Sequence, residues 1–192
     1  MATILVLYGT GEGQTATVAE RIAEALRARG HDAEPVDVAS AAADVDLAAY
    51  DAVLVGASIH RGKHQRSVVD FVRANRERLA AVPTAFFQVS LSSATEEGEA
   101  EAAGYVESFV EATDWHPDRI GQFGGALRFS EYGFLTRLMM KQIAKRAMPD
   151  VDTSRDVEFT DWDEVDAFAN DVAAFVEGRL GLTAPSGPST GG

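Results

Sequence analysis

Residues 9 to 15 read Gly9-Thr10-Gly11-Glu12-Gly13-Gln14-Thr15, three glycines and two threonines directly after an apolar run. Glycines let a backbone curl until several N–H groups converge, and the hydroxyls of Thr10 and Thr15 add donors, so the pattern suits an anion. The Gly-Lys-Ser/Thr ending of an ATP-type loop is missing, and no lysine is present to reach a β- or γ-phosphate. The G-x-G-x-x-G of a dinucleotide site is missing as well. A single monophosphate, held without a counter-cation, fits best. The plain alternative is a glycine-rich turn with an ordinary helix cap.

Two further loops carry suitable chemistry. Ala57-Ser58-Ile59-His60-Arg61-Gly62-Lys63-His64 offers Ile59 to the face of a flat heterocycle, and Arg61 with the loop N–H groups to any negative charge the ring acquires. Ser58, His60 and Gly62 complete that candidate set. Ser90-Leu91-Ser92-Ser93 can supply hydroxyls and N–H groups to the far edge of the ring, although serines after a strand are commonly a turn or cap. His60 and His64 have an i, i+4 spacing, but no nearby carboxylate or third histidine completes a metal site, so none is expected.

The elements that position these loops follow from hydrophobic periodicity. Thr3 to Tyr8 reads as a buried strand, and Gln14 to Arg29 as a helix with Val18, Ile22, Ala25 and Leu26 on one face and Gly30 at its end. Strands are expected at Asp32 to Asp37, Ala52 to Gly56, Thr84 to Ser90 and near Ile120 to Leu127. Helices follow around Val68, Phe71, Val72 and Leu79, around Ala102, Val106, Phe109 and Val110, and from Asp161 with Val165, Phe168, Val172 and Phe175 buried. Asp161-x-x-Glu164 resembles a capping box. Strands alternating with helices imply an α/β fold with a doubly wound parallel sheet, and five strands fit the order 2-1-3-4-5. In that order ligands sit at the carboxyl ends of the strands, beside the three loops above.

Composition narrows the function classes. The 192 residues suit one domain, taken here as residues 1–180, with a Pro-, Gly-, Ser- and Thr-rich tail over 181–192 expected to be disordered. No apolar run approaches the ~20 residues of a membrane span, and the N-terminus lacks a signal-peptide pattern, so a cytoplasmic location is expected. With no cysteine, there is no disulfide, thiol nucleophile or thiolate-held cluster, and redox chemistry requires an organic cofactor. A net charge of −13 argues against nucleic-acid binding. The bias to 14 Arg over Lys63, Lys141 and Lys145 within an acidic chain is what a high-salt cytoplasm would favour.

Taken together, Thr10-x-x-Gly13-Gln14-Thr15 resembles the flavodoxin phosphate loop, and the resemblance runs from residue 3 to about 178. Within that superfamily the chain is most similar to the flavodoxin-like, menaquinone-dependent protoporphyrinogen IX dehydrogenases. The similarity rests on Glu12-Gly13-Gln14-Thr15, Gly56-Ala57-Ser58-Ile59-x-x-Gly62-x-His64, Pro117-Asp118-Arg119, Gly124-Gly125-Ala126-Leu127-Arg128 and Thr160-Asp161-Trp162. It implies a flavodoxin-like three-layer sandwich with FMN as cofactor. Thr10, Gly11, Glu12, Gly13, Gln14 and Thr15 then lie at the phosphate, and Ser58, Ile59, His60, Arg61, Gly62, Ser90, Leu91 and Ser92 around the ring. It also implies a porphyrinogen substrate, a membrane quinone acceptor and no side-chain catalytic base, because the flavin accepts the hydride itself.

The same resemblance gives meaning to a basic and aromatic insertion at about residues 129–148. Residues 126–149 carry a net +4 and the rest of the chain −17. As a helix, the segment sets Arg137, Lys141 and Lys145 on one stripe and Leu135, Met139, Ile143 and Ala147 on another. Arg128, Arg137 and Lys141 are therefore candidates for docking an acidic substrate, and the segment for peripheral contact with an anionic membrane. The bland alternative is a helix packed on the sheet edge with its charges in water. Two other functions fit the same cofactor: a flavodoxin-type carrier of single electrons between redox partner proteins, and an NAD(P)H:quinone reductase, for which no nucleotide site is recognisable.

Overall fold

The computed structural model describes residues 1–41, 45–130 and 133–182, without the side chains of Ala41, Arg146 and Ala147. Its centre is a parallel sheet of β1 (Thr3–Gly9), β2 (Asp32–Asp37), β3 (Ala52–His60), β5 (Thr84–Ser90) and β6 (Arg119–Gly124), ordered β2-β1-β3-β5-β6. This is the expected 2-1-3-4-5 order, with one extra short strand, β4 (Lys63–His64), antiparallel to the end of β3. Because side chains alternate across a strand, each one feeds two cores. Ile4, Val6, Leu54, Ala85 and Phe87 face α1 (Gln14–Ala28) and α7 (Trp162–Leu180). Leu5, Leu7, Val53, Val55 and Phe86 face α3 (Arg66–Ala74), α4 (Arg76–Leu79) and α5 (Glu99–Thr113). A short α2 (Val38–Ala41) follows β2.

Helix α1 forms where the periodicity places it. Val18, Ile22 and Leu26 are fully buried, and Gly30 follows the helix at φ 88. Helix α7 begins one residue after Asp161, whose carboxylate accepts from the N–H groups of Asp163 and Glu164, so the cap predicted from sequence forms on its Asp161 side. Val165 and Val172 are buried, whereas Phe168 and Phe175 are half-buried, Phe175 beneath the Arg119 guanidinium. Gly181 and Leu182 close this helix, Leu182 N–H donating to the Glu177 carbonyl at 2.8 Å; the rest of the expected tail lies outside the described residues.

Three boundaries differ from the sequence reading. The third strand does not stop at Gly56; it runs to His60 and turns through Arg61 and Gly62, at φ 50 and 75, into β4. Two consecutive left-handed residues are what a tight two-residue hairpin requires. Thus residues 57–64 are a β-hairpin arm rather than a loop. The helix expected from Val68 to Leu79 is two helices, broken at Asn75, whose side-chain amide donates to the Phe71 carbonyl at 2.8 Å. The fifth strand also ends early: Ala126–Leu127 (β7) leaves the main sheet and pairs antiparallel with Val157–Glu158 (β8). The Gly124-Gly125 step permits this, since a Cβ on Gly124 would overlap the Phe159 carbonyl oxygen. The β7–β8 pair brackets the insertion, which carries α6 (Phe134–Ala147). Tyr132 of the insertion lies outside the described residues.

Candidate cofactor site

Parallel register brings the ends of four strands to one level. Gly9 pairs with Ala57, Ser58 with Val89, and Ser90 with Gly124, so the loops after β1 and β5 and the hairpin arm of β3 open onto one cavity. Its volume is about 360 Å³. Thr10, Gly11, Glu12, Gln14 and Thr15 form one end. Ser58, Ile59, His60, Arg61 and Gly62 form a side, and Ser90, Leu91 and Ser92 the opposite edge. Every expected cofactor contact except Gly13 lines this space.

Gly13 has a geometric role instead. At φ 89 it turns the chain into α1, and its N–H donates to Thr10 Oγ1 at 2.9 Å. A Cβ there would be strained by that dihedral even though space is open around it. Both ends of the Gln14 side chain are engaged within the protein: its amide nitrogen donates to Thr160 Oγ1 at 2.8 Å and its carbonyl oxygen accepts from Arg128 at 2.9 Å. Thr15 Oγ1 is fully buried and has no hydrogen-bond partner among the described residues. A buried hydroxyl of that kind, at a helix N-terminus and lining a cavity, calls for an acceptor such as a phosphoryl oxygen.

The hairpin side of the cavity is held by interactions the sequence did not reveal. Gln65 clasps Ser58, accepting from its N–H at 3.1 Å and donating to its hydroxyl. His64 Nε2 lies 2.9 Å from Gln88 Oε1, and the Gln88 amide nitrogen donates to the Ala102 carbonyl at 3.0 Å. Hence His64 carries its proton on Nε2. Burial pushes its pKa below the ordinary histidine value, partly opposed by Gln88, so it is neutral at pH 7 and braces the hairpin against Phe109. Ser90 and Ser93 share a 2.7 Å hydrogen bond, and Ser92 donates to Glu101, so these hydroxyls are engaged within the structure. Tyr105 also donates to Glu101, at 2.8 Å, and the Ser92 bond first, then the Tyr105 bond, hold the Glu101 carboxyl below its usual range.

The insertion supplies the remaining wall. Thr136, Met139, Met140 and Ile143 of α6 line the cavity together with Leu127. Two members of the predicted apolar stripe, Met139 and Ile143, therefore face the space. Arg128, Arg137 and Lys141 do not line it. Arg137 donates to the Ser130 carbonyl at 3.3 Å, and Lys141 lies close enough to Asp152 to help lower its pKa, behind the Ser154 hydrogen bonds. Among the described residues no group of three side chains could hold a metal ion.

Residues 5–154 match the family described as Flavodoxin domain, three-quarters or more of the chain. The chain belongs to that family. Protoporphyrinogen IX dehydrogenase [quinone] of Escherichia coli K12 is 33% identical over 170 residues, covering 88% of this chain and 93% of that protein. The Leishmania major protein of the same name is 33% identical over 172 residues, covering 88% and 74%. Among solved structures, a short-chain flavodoxin associated with a PDU bacterial microcompartment aligns with TM-score 0.56 at 13% identity, over 92% of this chain and 99% of that one. An archaeal flavodoxin aligns with TM-score 0.51 at 17% identity, over 91% and 99%. These structures establish the shared fold. FMN is the cofactor the family implies, and the residues present fit it: the orphaned Thr15 hydroxyl and the α1 N-terminus suit the phosphate, and Ile59, Leu91 and Met139 offer apolar surface to a ring.

Proposed function

We propose that the protein is an FMN-dependent oxidoreductase that oxidises protoporphyrinogen IX to protoporphyrin IX and passes the electrons to a quinone, as the names of its 33%-identical relatives indicate. One structural observation carries the reading beyond an electron carrier: the insertion helix α6 forms a wall of the cofactor cavity itself. A carrier needs its ring edge open to protein partners, whereas a dehydrogenase of a large apolar macrocycle needs an adaptable surface over it. Met139 and Met140 are unbranched and suited to that task.

Bound FMN supplies the capacity to accept a hydride or electrons. The chain's own contribution is to hold, orient and shield. Thr10, Thr15 and the N–H groups at the start of α1 hold the phosphoryl end. The hairpin, braced by Gln65 and neutral His64, fixes Ile59 and Arg61 along the ring, where a guanidinium favours added negative charge. Met139, Met140 and Ile143 exclude water from the opposite side. The outer face of α6 leaves Phe134, Leu135 and Leu138 exposed at 82%, 78% and 61%, next to Arg137 and Lys145. Among the described residues no helix is long and apolar enough to cross a membrane, so contact with a lipid-dissolved quinone would be peripheral, through this face.

The test is anaerobic mixing of the FMN-loaded protein with protoporphyrinogen IX and a menaquinone analogue. Porphyrin fluorescence should rise faster than in an enzyme-free control. A rise no faster than that control removes the proposal.

A further inference from the structure

Of the three cations expected to dock an acidic substrate, Arg128 is bonded to the start of α1, although it and Arg137 both act on Asp156. It follows β7 directly, and its Nη2 donates to Oε1 of Gln14, the first residue of α1, at 2.9 Å. The Gln14 amide is fixed at its other end by Thr160, whose hydroxyl donates to the Gly124 carbonyl at 2.7 Å. Gln14 is only 5% exposed. A buried, doubly anchored amide thus ties a permanently charged guanidinium to the first turn of the helix that ends the phosphate cradle.

At that same turn lies the fully buried Thr15 hydroxyl that has no partner among the described residues. The neighbouring loop contributes one carboxylate, Glu12, to the cavity wall and no lysine or arginine. A phosphate monoester brings a charge of about −1.5 to −2 at pH 7. The helix end offsets only about half an elementary charge. The loop by itself is therefore short of positive charge, and the fold delivers it from 114 residues away in sequence.

We propose that Arg128, which lies behind Gln14 and outside the cavity lining, serves the cofactor site as a counter-charge for the phosphoryl group rather than as a docking site for porphyrinogen. This rests on the FMN reading above and revises the expectation that the phosphate is held without a cation. Arg128 also acts on Asp156, whose low pKa is due first to hydrogen bonds from Ser130 and only then to Arg128 and Arg137.

FMN and riboflavin differ only in the phosphoryl group, so the pair isolates the effect. Both are titrated into the purified full chain by flavin-fluorescence quenching, at low and high salt, in wild type, R128M and R128Q. R128Q removes the charge and keeps a side-chain N–H donor on a shorter stem. Expected is a rise in the FMN Kd of about tenfold or more in either variant, the riboflavin Kd staying within about twofold, and a flatter salt dependence for FMN. Equal weakening of both ligands overturns the proposal, because Arg128 would then only hold the fold together. An unchanged FMN-to-riboflavin preference overturns it as well. A wild type that binds neither flavin defeats the cofactor reading itself and this inference with it, a result distinct from a wild type that binds FMN and variants that keep its preference.

Discussion

Helices α1 and α6 border the same cavity and differ by one residue in length, 15 against 14, yet they are held in opposite ways. Helix α1 buries Gln14, Thr15, Val18, Ala19, Ile22, Ala23 and Leu26 under the main core. Helix α6 rests on a satellite cluster of Leu127, Phe129 and its own Ala144, with Met140 partly covered, and leaves Phe134, Leu135, Leu138, Met139 and Ile143 exposed. The first helix commits its apolar face to stability and so fixes the end of the cavity lined by Thr10, Gln14 and Thr15. The second leaves much of its apolar face uncovered, Met139 and Ile143 toward the cavity and Phe134, Leu135 and Leu138 outside its lining. A rigid anchor beside an adaptable wall is what a site needs when it keeps one ligand and exchanges another.

The strongest way to break this comparison is to cut into each helix equally. Ile22→Ala removes buried methylenes from a site with no exposure and should cost about 2–5 kcal/mol of unfolding free energy. Leu138→Ala on α6 should stay within about 0.5 kcal/mol. Urea unfolding monitored by far-ultraviolet circular dichroism measures both. Comparable losses would mean that α6 is as much a part of the core as α1.

A smaller effect tests how α1 is tied at its far end. Arg29 makes a two-point contact with Glu177 of α7, at 3.2 and 2.8 Å, and His31 Nε2 lies 3.1 Å from the same carboxylate. Arg29 first, and then His31, hold the Glu177 carboxyl below its usual range against the opposing effect of burial. A depressed folded pKa means that this stabilisation is complete above the unfolded value of about 4.3 and is lost as pH falls through the folded one. Glu177→Gln should therefore cost about 1–3 kcal/mol at pH 7 and flatten the acid limb of the stability profile below about pH 4. An unchanged acid limb would show that the pair does not lock α1 to α7. Among the described side chains of α6 no ion pair of this kind is found, and Arg137 reaches a carbonyl at 3.3 Å.

The same contrast explains what was legible in the sequence. The strand order, α1 and the glycine-rich loop that ends at it followed from local patterns, because a buried parallel strand and an amphipathic helix each write their own period. The Asp161 cap was legible for the same reason. What escaped depended on partners far away in the chain: Gln14 with Arg128 and Thr160, and His64 with Gln88. The hairpin arm was missed because Gly56 looks like a strand end, whereas it is a site of close packing where a Cβ would overlap the Phe87 ring. Helix α6 was foreseen as two stripes, but periodicity could not say which apolar residues line the cavity and which face outward.

That last ambiguity leads to the prediction with the smallest effect on stability and the sharpest bearing on the comparison. Leu135 and Leu138 sit on the outer side of α6, exposed and absent from the cavity wall, while Met139 and Ile143 of the same helix line it. The double variant Leu135→Ser/Leu138→Ser should leave the unfolding free energy within about 0.5 kcal/mol and FMN binding unaltered. Its co-sedimentation with phosphatidylglycerol vesicles should fall to the level seen with neutral vesicles, because each leucine contributes apolar area to an interface that Arg137 and Lys145 only steer. If vesicle association persists undiminished, the outer face does not contact lipid, and the contrast between the two helices reduces to one of packing alone.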